Sequence, residues 1–323
     1  MKVIQRLLCV FMILFLLFTP NRLVSGAQEA YRDPRFIRAE QAYRGTITIY
    51  HIVRHRPYQG SLSNWLQKRA DEYEKKNRGS YIRIEGMDEA TFYERLDHGR
   101  RADAYSFFSG SLYPDLLREI AQTEIPMRDG LFATNRAIPY CFSGYAKLVR
   151  SDTSNPSKRY YVNDVLAAYL DGGADEADEA HADILYLDLR RAGDLIRYKD
   201  GFASSSVEAI DRLTDAVCWI GIDRDADEQK AEVIRSFTEW LLASEQQQKL
   251  NALGLLSVRA DVRDTPPDSL LKPVFKCYET IETVDPFLWH AAYDALKEDA
   301  AAARRGDPVA MQRFEKRFGE LKR

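Results

Sequence analysis

The sequence of 323 residues has few cysteines, and none of their spacings suggests a shared site. Three of the four cysteines, Cys141, Cys218 and Cys277, lie beyond the apolar run near the N-terminus. They form no Cys-x-x-Cys pair and their number is odd, so a disulfide framework of the kind that holds small secreted domains is excluded. At most one disulfide with one leftover thiol could form, and buried free thiols are the simpler interpretation.

The common catalytic and metal-binding motifs are also missing. The sequence has no G-x-S-x-G, no phosphate-binding loop, no G-x-G-x-x-G and no His-Glu-x-x-His. Asp223, Asp225 and Asp227 begin like a calcium loop, but the required glycine and glutamate do not follow. We therefore expect no catalytic residue, no metal and no cofactor. Paired carboxylates for glycoside hydrolysis stay open, because spacing along a chain does not give their separation in space.

A predominance of one charge is missing as well. The chain has 46 Lys and Arg against 49 Asp and Glu, a formal net charge of −3. The basic residues are interspersed with acids and form no basic face, so a nucleic-acid partner is not expected. With 45% hydrophobic and 11% aromatic residues the chain can bury substantial cores. Its length fits two domains.

The N-terminal 26 residues have the layout of a secretory signal. Lys2 and Arg6 precede the apolar run at 7–18, and small residues follow at 24–27. The run is too short to cross about 30 Å of hydrocarbon comfortably. We expect residues 1–26 to direct export to the periplasm or the cell surface, with an uncleaved membrane anchor as the alternative. Residues 27–43 are polar and read as a tether.

Strand and helix patterns alternate in the first part of the folded chain. The patterns predict strands at 45–52, 81–84 and 102–108, with helices at 62–76 and 88–98 between them. This alternation is typical of parallel β-α-β units with helices on both faces of a sheet. Ligands of such sheets bind outside the carboxyl ends of the strands. In this chain those ends are the loops at 53–60 and 108–113.

The later elements follow from the same criteria. The sequence predicts strands at 138–149 with a bend at Gly144, at 184–189 and at 216–222. It predicts helices at 163–170, at 205–213, at 228–253 and throughout the chain from Pro267 to the end.

Aromatic residues near predicted strand ends are candidates for stacking on a flat ligand. Taken singly, each is better explained as a core residue, but together they could line one edge of the sheet beside polar partners. The aromatic candidates are Tyr58, Phe108, Trp219 and Trp289, and the polar ones are Arg54, His55 and Ser109.

Three stretches carry a resemblance to a known family. They read TITIYHI with SLSNWLQKRADEYEKKNRGSYIRIE and RADAYSFF, then IPYCFSGYAKLV, then SFTEWLLASEQQQKLNALGLLSVRADV. The last is the most specific, because a helix, a glycine and an extended segment follow one another in it. These stretches resemble the extracellular solute-binding proteins of family 1, the sugar- and oligosaccharide-binding components of ABC importers. The resemblance covers about 45–150 and 216–323.

The resemblance implies an α/β, two-lobe type 2 periplasmic-binding fold, in which hinge strands join lobes that close on ligand. Lobe one would take residues 44–109 plus 219–257, and lobe two residues 112–216 plus 258–323. The implied ligand contacts are Arg54 and His55 after the first strand, Phe108 and Ser109 at the end of the third, and Trp289 near the last helices.

The implied function is that of an extracytoplasmic solute-binding protein. Such a protein would not be an enzyme; it would capture a carbohydrate or related polar solute as a monomer and deliver it to the membrane permease of an ABC importer. Residues 151–215 are short for the family, and Arg54-His55-Arg56 stands where its members usually have Asn or Asp. These departures admit an acidic ligand. They also motivate an alternative, a sensor or accessory subunit with altered or lost ligand binding. An exported glycan hydrolase is a third hypothesis.

Overall fold

The computed structural model describes residues 43–121, 123–149, 160–162, 182–198, 206–210, 212–287, 295–296, 298–300, 302–303 and 305–321. The predicted signal, nearly all of the predicted tether, the predicted helix at 163–170 and the candidate ligand contact Trp289 lie outside these residues. No helix in the described part of the chain is long and apolar enough to span a membrane.

The first sheet has five strands. They are β1 (Gly45–Ile52), β2 (Ser80–Met87), β3 (Ala104–Phe108), β4 (Ile138–Phe142) and β10 (Val217–Ile222), in the order β2-β1-β3-β10-β4. β1 pairs in parallel with β2 and β3, whereas β10 runs antiparallel to β3 and β4. Helices α1 (Leu62–Lys76) and α2 (Glu89–Asp97) connect the three parallel strands. The two predicted β-α-β units are therefore confirmed.

Helix α1 forms where the sequence provides a cap and an apolar face. The Ser61 hydroxyl accepts a hydrogen bond from the Asn64 amide at 3.4 Å, and the helix ends at Asn77. Leu66 and Ala70 are among the residues that bury one face of this helix, which packs on β2. That packing fixes where the loop between β1 and α1 starts and ends.

The second sheet has four strands in the order β6-β7-β5-β8. Its strands are β5 (Tyr145–Val149), β6 (Tyr160–Val162), β7 (Ile184–Asp188) and β8 (Ser206–Ala209). β7 leads directly into helix α3 (Leu189–Tyr198), so the first residues of α3 lie at the carboxyl end of that strand. Tyr145 and Tyr186 of this sheet belong to a core cluster that also contains Phe314 and Phe318 of helix α7 (Pro308–Leu321).

Two predicted elements of the middle region are wrong in part. The predicted strand at 138–149 is two strands in different sheets, β4 and β5, separated at Ser143 and Gly144. A Cβ at Gly144 would lie 2.1 Å from the Tyr278 ring, so only glycine fits at this crossing. The predicted helix at 205–213 contains strand β8 instead, in which Val207 is buried between exposed Ser206 and Glu208.

The predicted long helix at 228–253 is broken. Helix α4 (Glu228–Leu241) is followed by the short helix α5 (Ser244–Gln248) and by a 3₁₀ turn at Lys249–Leu253. The buried Gln247 amide donates to the carbonyl oxygens of Leu241 and Tyr140, at 3.0 and 2.8 Å. The side chain thus satisfies a carbonyl at the end of α4 and ties the break to β4.

The C-terminal region is not helical throughout, as it was predicted to be. Helix α6 (Lys272–Cys277) is followed by a two-residue strand, β11 (Glu282–Thr283), which pairs in parallel with β9 (Leu213–Thr214). Gly254 ends the 3₁₀ turn with a φ of +72°, which confirms the predicted stop. Leu256 then exchanges two backbone hydrogen bonds with Phe142 of β4, at 2.9 and 3.1 Å.

The three cysteines that the structure describes are free thiols. Cys141 and Cys218 are buried register partners on β4 and β10, and Cys277 is partly buried. The predicted lobe boundaries placed residues 112–216 in lobe two, and β4 within that range pairs with β10 in the first sheet. The division into lobes stays a prediction.

Candidate functional site

Two chain crossings meet where the sheets approach one another. Residues 143–144 lead from β4 to β5, and residues 215–216 lead into β10. The Ser143 amide donates to the Ala216 carbonyl at 2.8 Å, and the Thr214 hydroxyl donates to the Ser143 carbonyl at 2.9 Å. The two crossings are therefore bonded to each other, beside the carboxyl ends of β1 and β3.

Arg54 lies in the loop after β1 and turns toward these crossings. Its Nη1 donates to the Ser109 carbonyl at 2.6 Å, and its Nη2 lies 3.7 Å from Oδ2 of the fully buried Asp215. The Tyr145 hydroxyl donates to the other carboxylate oxygen of Asp215. Arg54 is thus engaged in contacts within the chain, and its predicted contact with a ligand stays a prediction.

The two histidines of this region are uncharged at neutral pH. Burial lowers the pKa of His51 to about 4, and its Nδ1 shares a hydrogen bond with the Ser106 hydroxyl at 2.8 Å. Burial also lowers the pKa of His55, against the opposing attraction of Asp215. The His55 ring packs edge-on against Phe108 with 5.2 Å between centroids. Its buried Nε2 has no hydrogen-bond partner among the described residues.

Phe108, Ser109 and Trp219 lie beneath the surface. Phe108 is 1% exposed, and Ser109 and Trp219 are fully buried. The Trp219 indole N–H donates to the Ser109 hydroxyl at 2.9 Å and so holds the residue that follows β3. The structure places these three predicted site residues together. Their contact with a solute stays a prediction.

Tyr58, in the loop after β1, packs against helix α3 and against the turn at Gly254. A Cβ on Gly193 of α3 would lie 1.7 Å from Cε2 of Tyr58, and a Cβ on Gly254 would lie 2.3 Å from its Cβ. The adjacent Gln59 amide donates to the Leu253 carbonyl at 3.1 Å. Two glycines thus make room for the Tyr58 ring, which is 3% exposed. This close fit could not be predicted from local patterns, because the three residues are far apart along the chain.

A cavity of about 290 Å³ opens at the carboxyl end of β1. Its walls come from His51, from the loop and helix start at residues 53–63, and from Arg190 in the first turn of α3. A wider cavity of about 640 Å³ adjoins it and shares Val53, Arg56 and Ser63. Sequence reasoning missed Arg190, since nothing in its local pattern tells that the start of α3 faces the end of β1.

The acidic stretch that began like a calcium loop has structural partners. Asp223 accepts a hydrogen bond from the Tyr105 hydroxyl at 2.5 Å, and Arg101 pairs with Asp225. Asp227 accepts the Gln229 amide at 2.8 Å and caps α4. In the part of the chain that the structure describes, no group of three or more His, Cys, Asp or Glu residues could hold a metal.

Comparison with known proteins bears on the fold. No protein-family model and no curated protein sequence matches the chain. Solved structures do match. The cyclic α-maltosyl-1,6-maltose binding protein of Arthrobacter globiformis has a TM-score of 0.62 at 10% identity, covering 87% of this chain and 98% of that one. The maltodextrin-binding protein MalE1 of L. casei BL23 has a TM-score of 0.58 at 8% identity, covering 86% of this chain and 98% of that one. Iron-bound HitA of Pseudomonas aeruginosa has a TM-score of 0.53 at 13% identity, covering 79% of this chain and 99% of that one.

At these identities the likeness shows the fold alone. The chain has the type 2 periplasmic-binding-protein fold, so the fold class that the sequence implied is confirmed. The ligands named for these structures differ, a cyclic saccharide, a maltodextrin and iron. The fold therefore does not select the solute.

Proposed function

We propose that this protein is an extracytoplasmic solute-binding protein that captures a small polar solute by lobe closure and delivers it to an ABC importer. The observation that carries this proposal is the cavity between the end of β1 and Arg190 of α3. It lies where elements of the two sheets face each other, which is where a closing fold would enclose a ligand.

The size and lining of the cavity narrow the kind of solute. A volume of about 290 Å³ is at the lower end of the range of roughly 300–1,000 Å³ for small-molecule sites. It suits a solute of monosaccharide size better than a long oligosaccharide. Carbohydrate remains the class that the family resemblance favours, and the polar walls of the cavity are compatible with it.

The alternative function is that of a sensor or accessory subunit with altered or lost ligand binding. The specific observation in its favour is that contacts within the chain already occupy two predicted site residues. Arg54 bonds to the Ser109 carbonyl, and Tyr58 packs against Gly193 and Gly254. The loop after β1 is thereby held in place by the protein itself.

Thermal unfolding with a panel of solutes separates the two functions. The panel contains neutral monosaccharides and disaccharides, sugar acids, amino acids and sugar phosphates. A bound solute at a hundred-fold excess over its Kd is expected to stabilise the protein by about 2.7 kcal/mol. Because general cosolute effects do not saturate, only a rise in Tm that saturates with concentration counts as binding. Absence of a saturating rise in every class would contradict solute capture and favour the alternative.

A further inference from the structure

The cavity at the end of β1 carries positive charge without a matching acid in its walls. Two arginines, Arg56 and Arg190, line it, and none of its described lining residues is acidic. Burial keeps the pKa values of His51 and His55 low, so both are neutral near pH 7. The arginines therefore set the charge that a solute meets in the cavity.

Arg56 is available to a ligand. Its side chain is exposed, and among the described residues it has no hydrogen-bond or ion-pair partner. It lines both adjoining cavities, so a solute entering from either would meet it. The neighbouring arginine of the same loop, Arg54, is by contrast engaged with Ser109 and Asp215. The two arginines thus have different surroundings, and within the described part of the chain Arg56 has no acidic side chain paired with it.

Arg190 is held in place from the opposite side. Its Nη1 donates to the Pro57 carbonyl at 3.1 Å, and its Nε lies 3.8 Å from Asp194. Both members of that pair are one-third exposed, so solvent screens their attraction and the pair adds little stability. The backbone contact nonetheless holds Arg190 beside the cavity that it lines. A planar guanidinium fixed in this way suits two-point recognition of an oxyanion.

The start of α1 lies in the same wall. Leu62 and Ser63, the first residues of the helix, line the cavity, and the first turn contains no acidic residue. The positive end of the helix dipole is thus left without a negative side chain of its own. The buried Nε2 of His55, which has no partner among the described residues, lies in the wall of the same cavity and can donate when it carries the proton.

We propose that the solute carries an oxyanion, either a carboxylate or a phosphate, which binds between Arg56 and Arg190 at the start of α1. This inference rests on the proposed function and specifies the class of solute. A neutral sugar would supply no counter-charge to Arg56 or Arg190, whereas an oxyanion would supply one to both.

Titration calorimetry of the full chain tests the proposal with four probes: glucose, glucuronate, glucose 6-phosphate and inorganic phosphate. At least one acidic probe is expected to bind ten-fold or more tightly than glucose, and the pair of sugar derivatives tells carboxylate from phosphate. Equal affinities for inorganic phosphate and glucose 6-phosphate would show that the sugar adds nothing to binding, and would identify free inorganic phosphate as the solute.

The variants Arg56→Gln and Arg190→Gln are each expected to weaken the acidic probe ten-fold or more. Arg83→Gln is the matched control, because Arg83 is exposed, pairs with Glu85 on β2 and lies outside both cavities. It removes the same charge and should change the affinity less than two-fold. Unfolding curves of all three variants show whether the fold is retained.

Three outcomes would overturn the oxyanion proposal. The first is that glucose binds as tightly as the acidic probes, and the second is that both cavity variants keep the wild-type affinity. Either result would contradict the oxyanion proposal but leave the proposed capture of a solute intact. If no acidic probe binds, the oxyanion is also wrong. The saturating Tm shifts with neutral solutes and amino acids then decide separately whether the proposed function survives.

Discussion

Replacing Asp264 with alanine is expected to lower the free energy of unfolding by about 3–5 kcal/mol, because the change leaves the buried Arg128 without its counter-charge. The two side chains are 5% and 7% exposed, and Nη2 of Arg128 lies 2.5 Å from the Asp264 carboxylate. Asp264 also accepts the Ser257 amide at 3.0 Å and the Asn251 side-chain amide at 2.9 Å. Its loss would therefore also leave these donors unsatisfied.

The loss of stability in Asp264→Ala is expected to involve more than the ion pair, because Arg128 has further contacts. Its Nη1 donates to the carbonyl of Tyr278 at 2.6 Å, and its guanidinium lies over the Phe142 ring at 5.6 Å. The Asp264–Arg128 pair thus connects the end of β4, the segment after Gly254 and the residue that follows α6. Unfolding in denaturant measures the loss.

Asp261→Ala is the matched control for Asp264→Ala. Asp261 lies three residues earlier and also pairs with an arginine, Arg259, at 2.5 Å, but its side chain is 49% exposed. Exposed pairs contribute little, so a loss below about 1 kcal/mol is expected. Similar losses in the two variants would contradict the special role assigned to the buried pair.

Replacing Gly254 with alanine is expected to cost about 2–4 kcal/mol, the second large effect. The residue has a φ of +72°, which disfavours any side chain, and the new Cβ would lie 2.3 Å from the Cβ of Tyr58. Gly99→Ala separates the two causes. Gly99 has almost the same φ, +71°, and no atom within 4 Å of the added Cβ, so only the backbone strain of about 1 kcal/mol applies there.

The difference between the two glycine variants measures the crowding at Tyr58. An equal loss in Gly254→Ala and Gly99→Ala, measured by denaturant unfolding, would show that the contact with Tyr58 is loose. The expected difference would instead identify Tyr58 as a tight connection between the loop after β1 and residue 254. The same ring also lies against Gly193 of α3.

The first half of the larger sheet could be predicted because its signals are local. Strands β1 and β2 alternate in polarity and β3 is mostly apolar, and the caps Ser61 and Asp88 mark where α1 and α2 begin. The stop at Gly254 was equally local, since a helix that ends in a left-handed residue favours glycine. In each case a few neighbouring residues contain the whole physical cause.

The wrong predictions have causes that lie far away in sequence. The helix at 228–253 breaks where Gln247 bonds to Tyr140, more than a hundred residues earlier. The strand at 138–149 divides at Gly144 because the Tyr278 ring occupies the space beside it. Strand β8 forms on β5, where pairing outweighs the local helical preference of residues 205–213. No local pattern contains these partners.

The position of the candidate site could be predicted from the sequence, but the surroundings of its side chains could not. The loop after β1 was located correctly, because the ends of parallel strands mark where ligands bind. The different surroundings of Arg54 and Arg56 could not be foreseen, since they depend on Ser109 and Asp215. Arg190 enters the site only because α3 faces β1 across the two sheets.

The central claim is that the protein captures its solute by closure. The distance between the half that contains the first sheet and the half that contains the second sheet, measured with and without solute, tests this claim most directly. Spin labels at Asp71→Cys on α1 and Glu208→Cys on β8 would be placed at exposed positions, one in each half, with the partly exposed Cys277 changed to serine. A second pair, Asp71→Cys with Arg83→Cys, lies within the first half and serves as control. Pulsed electron paramagnetic resonance is expected to show a shorter, narrower 71–208 distance with a saturating solute and an unchanged 71–83 distance. A 71–208 distance that stays the same while calorimetry shows the solute bound would contradict capture by closure.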